Sequence, residues 1–216
     1  MNFKIAIVAG MIFLQGCAAV VATGAATGVG VMRDRRGTYT FLDDKNIELT
    51  AYQDIRKIAK QSTDYHISVA SYNGVVLLVG QAPSSLEKQK VVERIKGIEK
   101  IVRLYDEITV EPPISLGERS QDAWITACVK SQFLVHKEID PTRFKVITEQ
   151  GTVYLLGLVT PEEENIAATV ASQVPHVQKV VKIFEHFDRK EPIKTNKMSA
   201  KSREDHNMSE SSWVKE

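Results

Sequence analysis

The chain has 216 residues, of which 43% are apolar, and its 28 basic and 27 acidic side chains leave a formal net charge of +1. That balance lacks the basic face or stripe of a nucleic-acid binder. Two cysteines, Cys17 and Cys128, are too few for a disulfide framework. The first sixteen residues have the layout of a secretory signal: a start carrying Lys4, an apolar run from Ile5 to Leu14, and a small-residue processing site. The run is roughly half the ~20 apolar residues that a membrane crossing needs.

The processing site Leu14-Gln15-Gly16-Cys17 resembles the lipobox of bacterial lipoproteins. The resemblance implies cleavage before Cys17, lipidation of its thiol, and, with Ala18 rather than aspartate next, sorting to the outer membrane with the protein lipid-anchored on the periplasmic side. Two or more acyl chains hold a protein stably without any other anchor. Loss of Lys4 with the signal leaves the mature chain formally neutral. Cys128, left without an internal partner, is expected to be a small buried or semi-buried hydrophobe. The Ala/Gly/Thr-rich stretch that follows Cys17 shows no sustained period and reads as a flexible tether. Gly24 and Gly28 have the spacing of a transmembrane dimer face, but the segment is too short and polar for one.

Sliding the chain over itself reveals a repeat. Residues Ile67 to Gly80 lie over Phe144 to Gly157 at an offset of 77, and Ile98 to Ile108 lie over Val177 to Phe187 at an offset of 79. Each copy opens with a helical pattern, Ile47, Ala51, Ile55, Ile58 and Ala59 in the first and Ile125, Val129 and Phe133 in the second. Two short strands follow, joined by a tight turn at Asn73-Gly74 or Gln150-Gly151. Capping boxes at Ser84-Ser-Leu-Glu87 and Thr160-Pro-Glu-Glu163 then start a second helix. A last strand, Ile101 to Val110 or Val180 to Phe187, returns beside the hairpin. The fold class is α+β, with two units of order αββαβ. Each is a three-stranded mixed sheet with two helices on one face. The expected boundaries are 1–16 for the signal, 17–43 for the tether, 44–111 and 120–187 for the units, 112–119 for their linker and 188–216 for a disordered polar tail.

This order, with its central Gly-Val-Val-Leu-Leu-Val-Gly strand ending at Gly80, resembles the BON domain. Two copies behind a lipobox, with Trp124-Ile-Thr after a Leu116-Gly-Glu linker, are similar to the dual-BON-domain outer-membrane lipoproteins. The tail, with Trp213 near its end, goes beyond that pattern.

No catalytic constellation emerges, so no enzyme, cofactor or metal is expected. His66, His136, His176, His186 and His206 have neither metal-ligand spacing nor a nucleophile partner. Glu162, Glu163 and Glu164 suit the field at a helix N-terminus, and paired carboxylates elsewhere read as scattered surface charge. The helix from Ser120 to Lys137 is unusual because its apolar residues cover too much of the circumference. At about 100° per residue, Ile125, Val129 and Phe133 suffice to dock it. Trp124, Ala127, Cys128, Ser131, Leu134 and Val135 form a second strip, and Thr126, Lys130 and Lys137 fill the arc that remains. The first unit shows one helical stripe and is assigned a supporting or protein-contact role.

Something must cover a second strip: the other unit, a membrane, or a protein partner such as outer-membrane assembly or cell-division proteins. The family resemblance implies the membrane, with an anionic phospholipid (phosphatidylglycerol or cardiolipin) as ligand and Trp124 and Leu134 on matching positions. The candidate phospholipid-binding residues are Trp124, Ala127, Lys130, Ser131, Leu134 and Lys137, with Cys17 the lipidation site. From Ser120 to Phe187 there are six basic against eight acidic side chains, so any attraction to anionic lipid must rest on local clustering of lysines.

Overall fold

The computed structural model describes residues 37–60 and 62–187. The expected signal, Cys17, most of the tether and the tail with Trp213 lie outside the described residues. Each unit follows the αββαβ order. The first comprises α1 (Thr38–Ala59), β1 (His66–Tyr72), β2 (Val75–Ala82), α2 (Ser85–Lys96) and β3 (Arg103–Val110). The second comprises α3 (Leu116–Val135), a short 3-10 turn (Pro141–Arg143), β4 (Phe144–Glu149), β5 (Thr152–Val159), α4 (Pro161–Ser172) and β6 (Lys179–His186). The sheet orders are β1-β2-β3 and β4-β5-β6. In each, the hairpin is antiparallel and the last strand pairs parallel to the middle one.

Both hairpin turns have two residues at positive φ, Asn73 at 56° and Gly74 at 76°, Gln150 at 49° and Gly151 at 70°. These are primed turns, whose twist matches the strands they join. A buried aspartate on the first helix of each unit holds the turn. The Asp44 carboxylate accepts from the backbone N–H groups of Asn73 (2.8 Å) and Gly74 (2.9 Å) and from the Ser71 hydroxyl. Asp122 accepts from Gln150 and Gly151 N–H, both at 2.9 Å. The reading of paired carboxylates as surface charge is therefore corrected at Asp44, which is buried, as is Asp122, because four turn amides need acceptors.

Gly80 and Gly157 are a second matched pair. A Cβ on Gly80, whose φ is +119°, would stand 1.9 Å from the His66 carbonyl oxygen; one on Gly157 would stand 2.6 Å from that of Arg143. Only glycine lets the first strand start so close to the middle one.

Three boundaries differ from expectation. Helix α1 begins at Thr38, inside the expected tether, and α3 begins at Leu116, inside the expected linker. The second shift has a clear cause. Ser115 and Glu118 form a complete capping box, which starts the helix despite Gly117. Helix α3 ends at Val135, so Lys137 sits in the turn beyond it. The box at Thr160 and Glu163 is complete, whereas that at Ser84 is half formed: Ser84 accepts from Glu87 N–H, but the Glu87 carboxylate turns to the Tyr65 hydroxyl and Lys90.

The helices of each unit cover one sheet face. Ile47, Ala51, Val91 and Ile95 pack on Val76, Leu78 and Ala82 in the first unit, and Ile125, Val129, Phe133 and Ala167 pack on Val146, Val153 and Leu155 in the second. The opposite faces meet each other. Tyr72, Val75, Leu77 and Val79 of one sheet form a single cluster with Tyr154, Leu156 and Ile183 of the other. Every residue of β2 is therefore buried, alternate side chains entering the helix–sheet core and the sheet–sheet core. The layers run helix pair, sheet, sheet, helix pair.

Polar contacts fix how the sheets lie. Gln81 donates to Glu149 at 2.8 Å and accepts from the Ile114 N–H, and Asn73 donates to Glu185 at 2.7 Å. Lys145 of β4 pairs with Glu48 of α1.

Candidate functional site

The buried residues of α3, Asp122, Ile125, Val129 and Phe133, fix its rotation about its own axis. With the turn clamp and the core on one side, Leu116, Ser120, Trp124, Ala127, Ser131, Leu134 and Val135 project from the other. All of them are exposed: Leu116 at 79%, Trp124 at 47%, Leu134 at 73% and Val135 at 72%. The first unit does not cover this strip, because the two units use their open sheet faces to meet. Burial between units is thus removed as an explanation for it among the described residues.

Trp124 is the least exposed of the large apolar residues in the strip because its ring lies edge-on to His176, with centroids 5.7 Å apart and planes at 71°. His176 belongs to the turn after α4, where its φ is 68°. Beside this pair, an open groove of about 650 Å³ runs between α3 and α4. Trp124 and Cys128 form one wall, and Ile166, Val170, Val174 and Pro175 the other. Cys128 is half-buried against the second core, with a free thiol.

The charges sort in a way that their count conceals. Arg143 pairs with Asp140 and Glu163, Lys145 with Glu48, and Lys182 with Glu164, which also meets His186. Hydrogen bonds from Lys182 and His186 hold the Glu164 carboxyl below the usual range. Lys130 and Lys137 are exposed, and neither has an ion-pair partner among the described residues. Of the six candidate residues, Trp124, Ala127, Ser131 and Leu134 thus lie on the exposed side of α3, with Lys130 exposed on the same helix and Lys137 in the turn that follows it. The structure adds Leu116, hidden by the linker reading, and His176, which no sequence pattern tied to Trp124.

The first unit also differs from expectation. Its helix carries a second set of exposed side chains, Tyr39, Leu42, Leu49 and Tyr52. The earlier start at Thr38 accounts for Tyr39 and Leu42. Among the described residues, no group of three or more His, Cys, Asp or Glu could hold a metal ion, and no helix is long and apolar enough to cross a membrane.

The BON domain family model matches residues 43–112 and again 121–185. The chain is 41% identical over 186 residues to the outer membrane lipoprotein DolP of Haemophilus influenzae, covering 86% of this chain and 96% of that protein. It is 37% identical over 153 residues to a 21 kDa hemolysin of Actinobacillus pleuropneumoniae, covering 71% and 79%. Among solved structures, the C-terminal domain of CdsD, a structural protein of the type III secretion system of Chlamydia trachomatis, matches 63% of this chain and 96% of its own at 10% identity. Its TM-score of 0.28 falls below what a shared overall fold requires. With two family matches on two αββαβ units and a relative matched over nearly its whole length, the chain belongs to the BON-domain family, as one of its two-domain outer-membrane lipoproteins.

Proposed function

We propose that this is a non-catalytic envelope lipoprotein that binds anionic phospholipid through its second BON domain and so supports outer-membrane integrity. Acylation of Cys17 supplies the anchor on the periplasmic side. Phosphatidylglycerol or cardiolipin is the ligand, with Trp124 at the headgroup level, Leu134 at the acyl boundary, Ala127 and Ser131 permitting close approach, and Lys130 and Lys137 at the phosphates.

One observation carries this reading: an exposed apolar strip on α3 flanked by two lysines that no carboxylate among the described residues engages. Apolar insertion then contributes alongside about 1 kcal/mol for each lysine near the surface.

The test is sedimentation of residues 18–216 with neutral liposomes and with liposomes containing phosphatidylglycerol or cardiolipin. The wild type is expected to pellet with the anionic liposomes alone, and a folded Trp124→Glu variant is expected to stay in solution. If the wild type pellets with neither, the strip belongs to a protein partner, such as the outer-membrane assembly or cell-division machinery.

A further inference from the structure

A second surface lies apart from the α3 strip. The outer edges of β1 and β4 lie side by side between α1 and α3, bordering a groove of about 800 Å³. No backbone hydrogen bond joins the two edges, which belong to separate sheets. The direction of the free groups on β1 follows from its register. Tyr72 and Val75 flank a two-residue turn, so Tyr72, Ala70 and Ser68 bond to β2, while Ser71, Val69 and Ile67 point their N–H and C=O groups outward. The Ser71 N–H confirms this by donating to Glu48 at 2.8 Å. Below that plug, the outward groups of Ile67 and Val69 have no partner among the described residues.

Edge strands are usually guarded by charge. β3 carries Arg103, Asp106 and Glu107, and β6 carries Lys179, Lys182 and Glu185. β1 (His66–Tyr72) has no Lys, Arg, Asp or Glu at all. β4 carries Lys145 and Glu149, and its Thr148 hydroxyl accepts from Thr126 on α3. The open edge is therefore that of β1.

We propose that the β1 edge docks an extended peptide segment of a protein partner, which adds as a fourth strand to the first sheet. A row of outward N–H and C=O groups at two-residue spacing is matched by another extended backbone and by nothing in a lipid headgroup. Leu49 and Tyr52, exposed on the α1 wall, take apolar side chains at alternate peptide positions. Arg119 on the α3 wall, without an ion-pair partner among the described residues, takes a carboxylate. This docking is independent of the lipid reading.

The experiment uses residues 18–216 and a phage-displayed library of random peptides, with synthetic copies of those selected. Selected peptides are expected to alternate apolar residues and to slow amide exchange at Ile67 and Val69. Val69→Pro deletes one outward N–H without touching the β1–β2 ladder and is expected to weaken binding about tenfold or more. Ser68→Lys, which installs the missing guard charge, is expected to do the same, whereas Trp124→Glu leaves binding unchanged. The proposal is overturned if no peptide is selected, or if bound peptides leave those two amides unprotected. It is equally overturned if both β1 variants bind as the wild type does, or if Ile67 and Val69 already exchange slowly in the free chain, which would mean that the chain covers its own edge.

Discussion

The side-chain amide of Gln81, buried in the first BON domain, donates a 2.8 Å hydrogen bond to the carboxylate of Glu149 in the second. Its carbonyl oxygen meanwhile accepts from the Ile114 N–H in the segment that joins the domains. One side chain thus satisfies groups from two directions inside an otherwise apolar sheet–sheet core. Gln81→Ala removes both bonds and leaves a buried carboxylate short of a donor. The expected cost is about 1–3 kcal/mol, read as a lowered urea midpoint.

The Glu48–Lys145 pair gives the same interface an acid sensitivity. Burial alone pushes the Glu48 carboxyl up, but Lys145, the Ser71 N–H and Lys45 together outweigh it and hold the group below its ordinary value of 4.5. A carboxyl depressed on folding contributes stability that is complete above its ordinary value and is lost as pH falls through the folded value. Urea midpoints measured downward from about pH 6 are therefore expected to fall below pH 4.5. In Glu48→Gln that fall is expected to be shallower. An equally steep fall in the variant would assign the sensitivity to other pairs, such as Asp54, which the Arg94 guanidinium holds down.

Gly80 and Gly157 predict a graded pair of failures. Gly80→Ala places a methyl 1.9 Å from a carbonyl oxygen at a φ of +119°, and Gly157→Ala places one at 2.6 Å. The first is expected to cost about 3 kcal/mol or more and the second less. Thermal unfolding of the two variants checks the order.

In the proposed lipid binding, Lys130 and Lys137 are expected to act separately from Trp124. Replacing both by Ala is expected to weaken binding to anionic liposomes by about 2 kcal/mol, roughly thirtyfold. The double variant is also expected to respond less to added salt than the wild type does. Titration of liposomes at low and high salt measures both quantities.

The αββαβ order, the repeat and the outward strip on α3 were legible because each has a local signature: apolar period, turn residues, a cap. The meeting of the two sheets was not, although its trace is present. The runs Val75 to Val79 and Val153 to Leu158 are apolar without alternation, the pattern of a strand buried on both faces, whereas a two-layer unit asks for one apolar face. The start of α3 is harder to read, because Pro112, Pro113 and Gly117 have the composition of a linker while the Ser115–Glu118 box stands ahead of the apolar period. Asp44 and Asp122 could not be placed from sequence, since the amides they hold lie some thirty residues away. The contact between Trp124 and His176 depends likewise on tertiary folding.

The proposed entry of Trp124 into a lipid surface is read from its own fluorescence. In a Trp213→Phe background, Trp124 is the one tryptophan, and liposomes with brominated acyl chains quench an indole that reaches the acyl boundary. Quenching and a blue shift are predicted with liposomes containing phosphatidylglycerol or cardiolipin and not with neutral ones. An unchanged spectrum with anionic liposomes would rule out insertion of Trp124 and leave the strip to a protein partner.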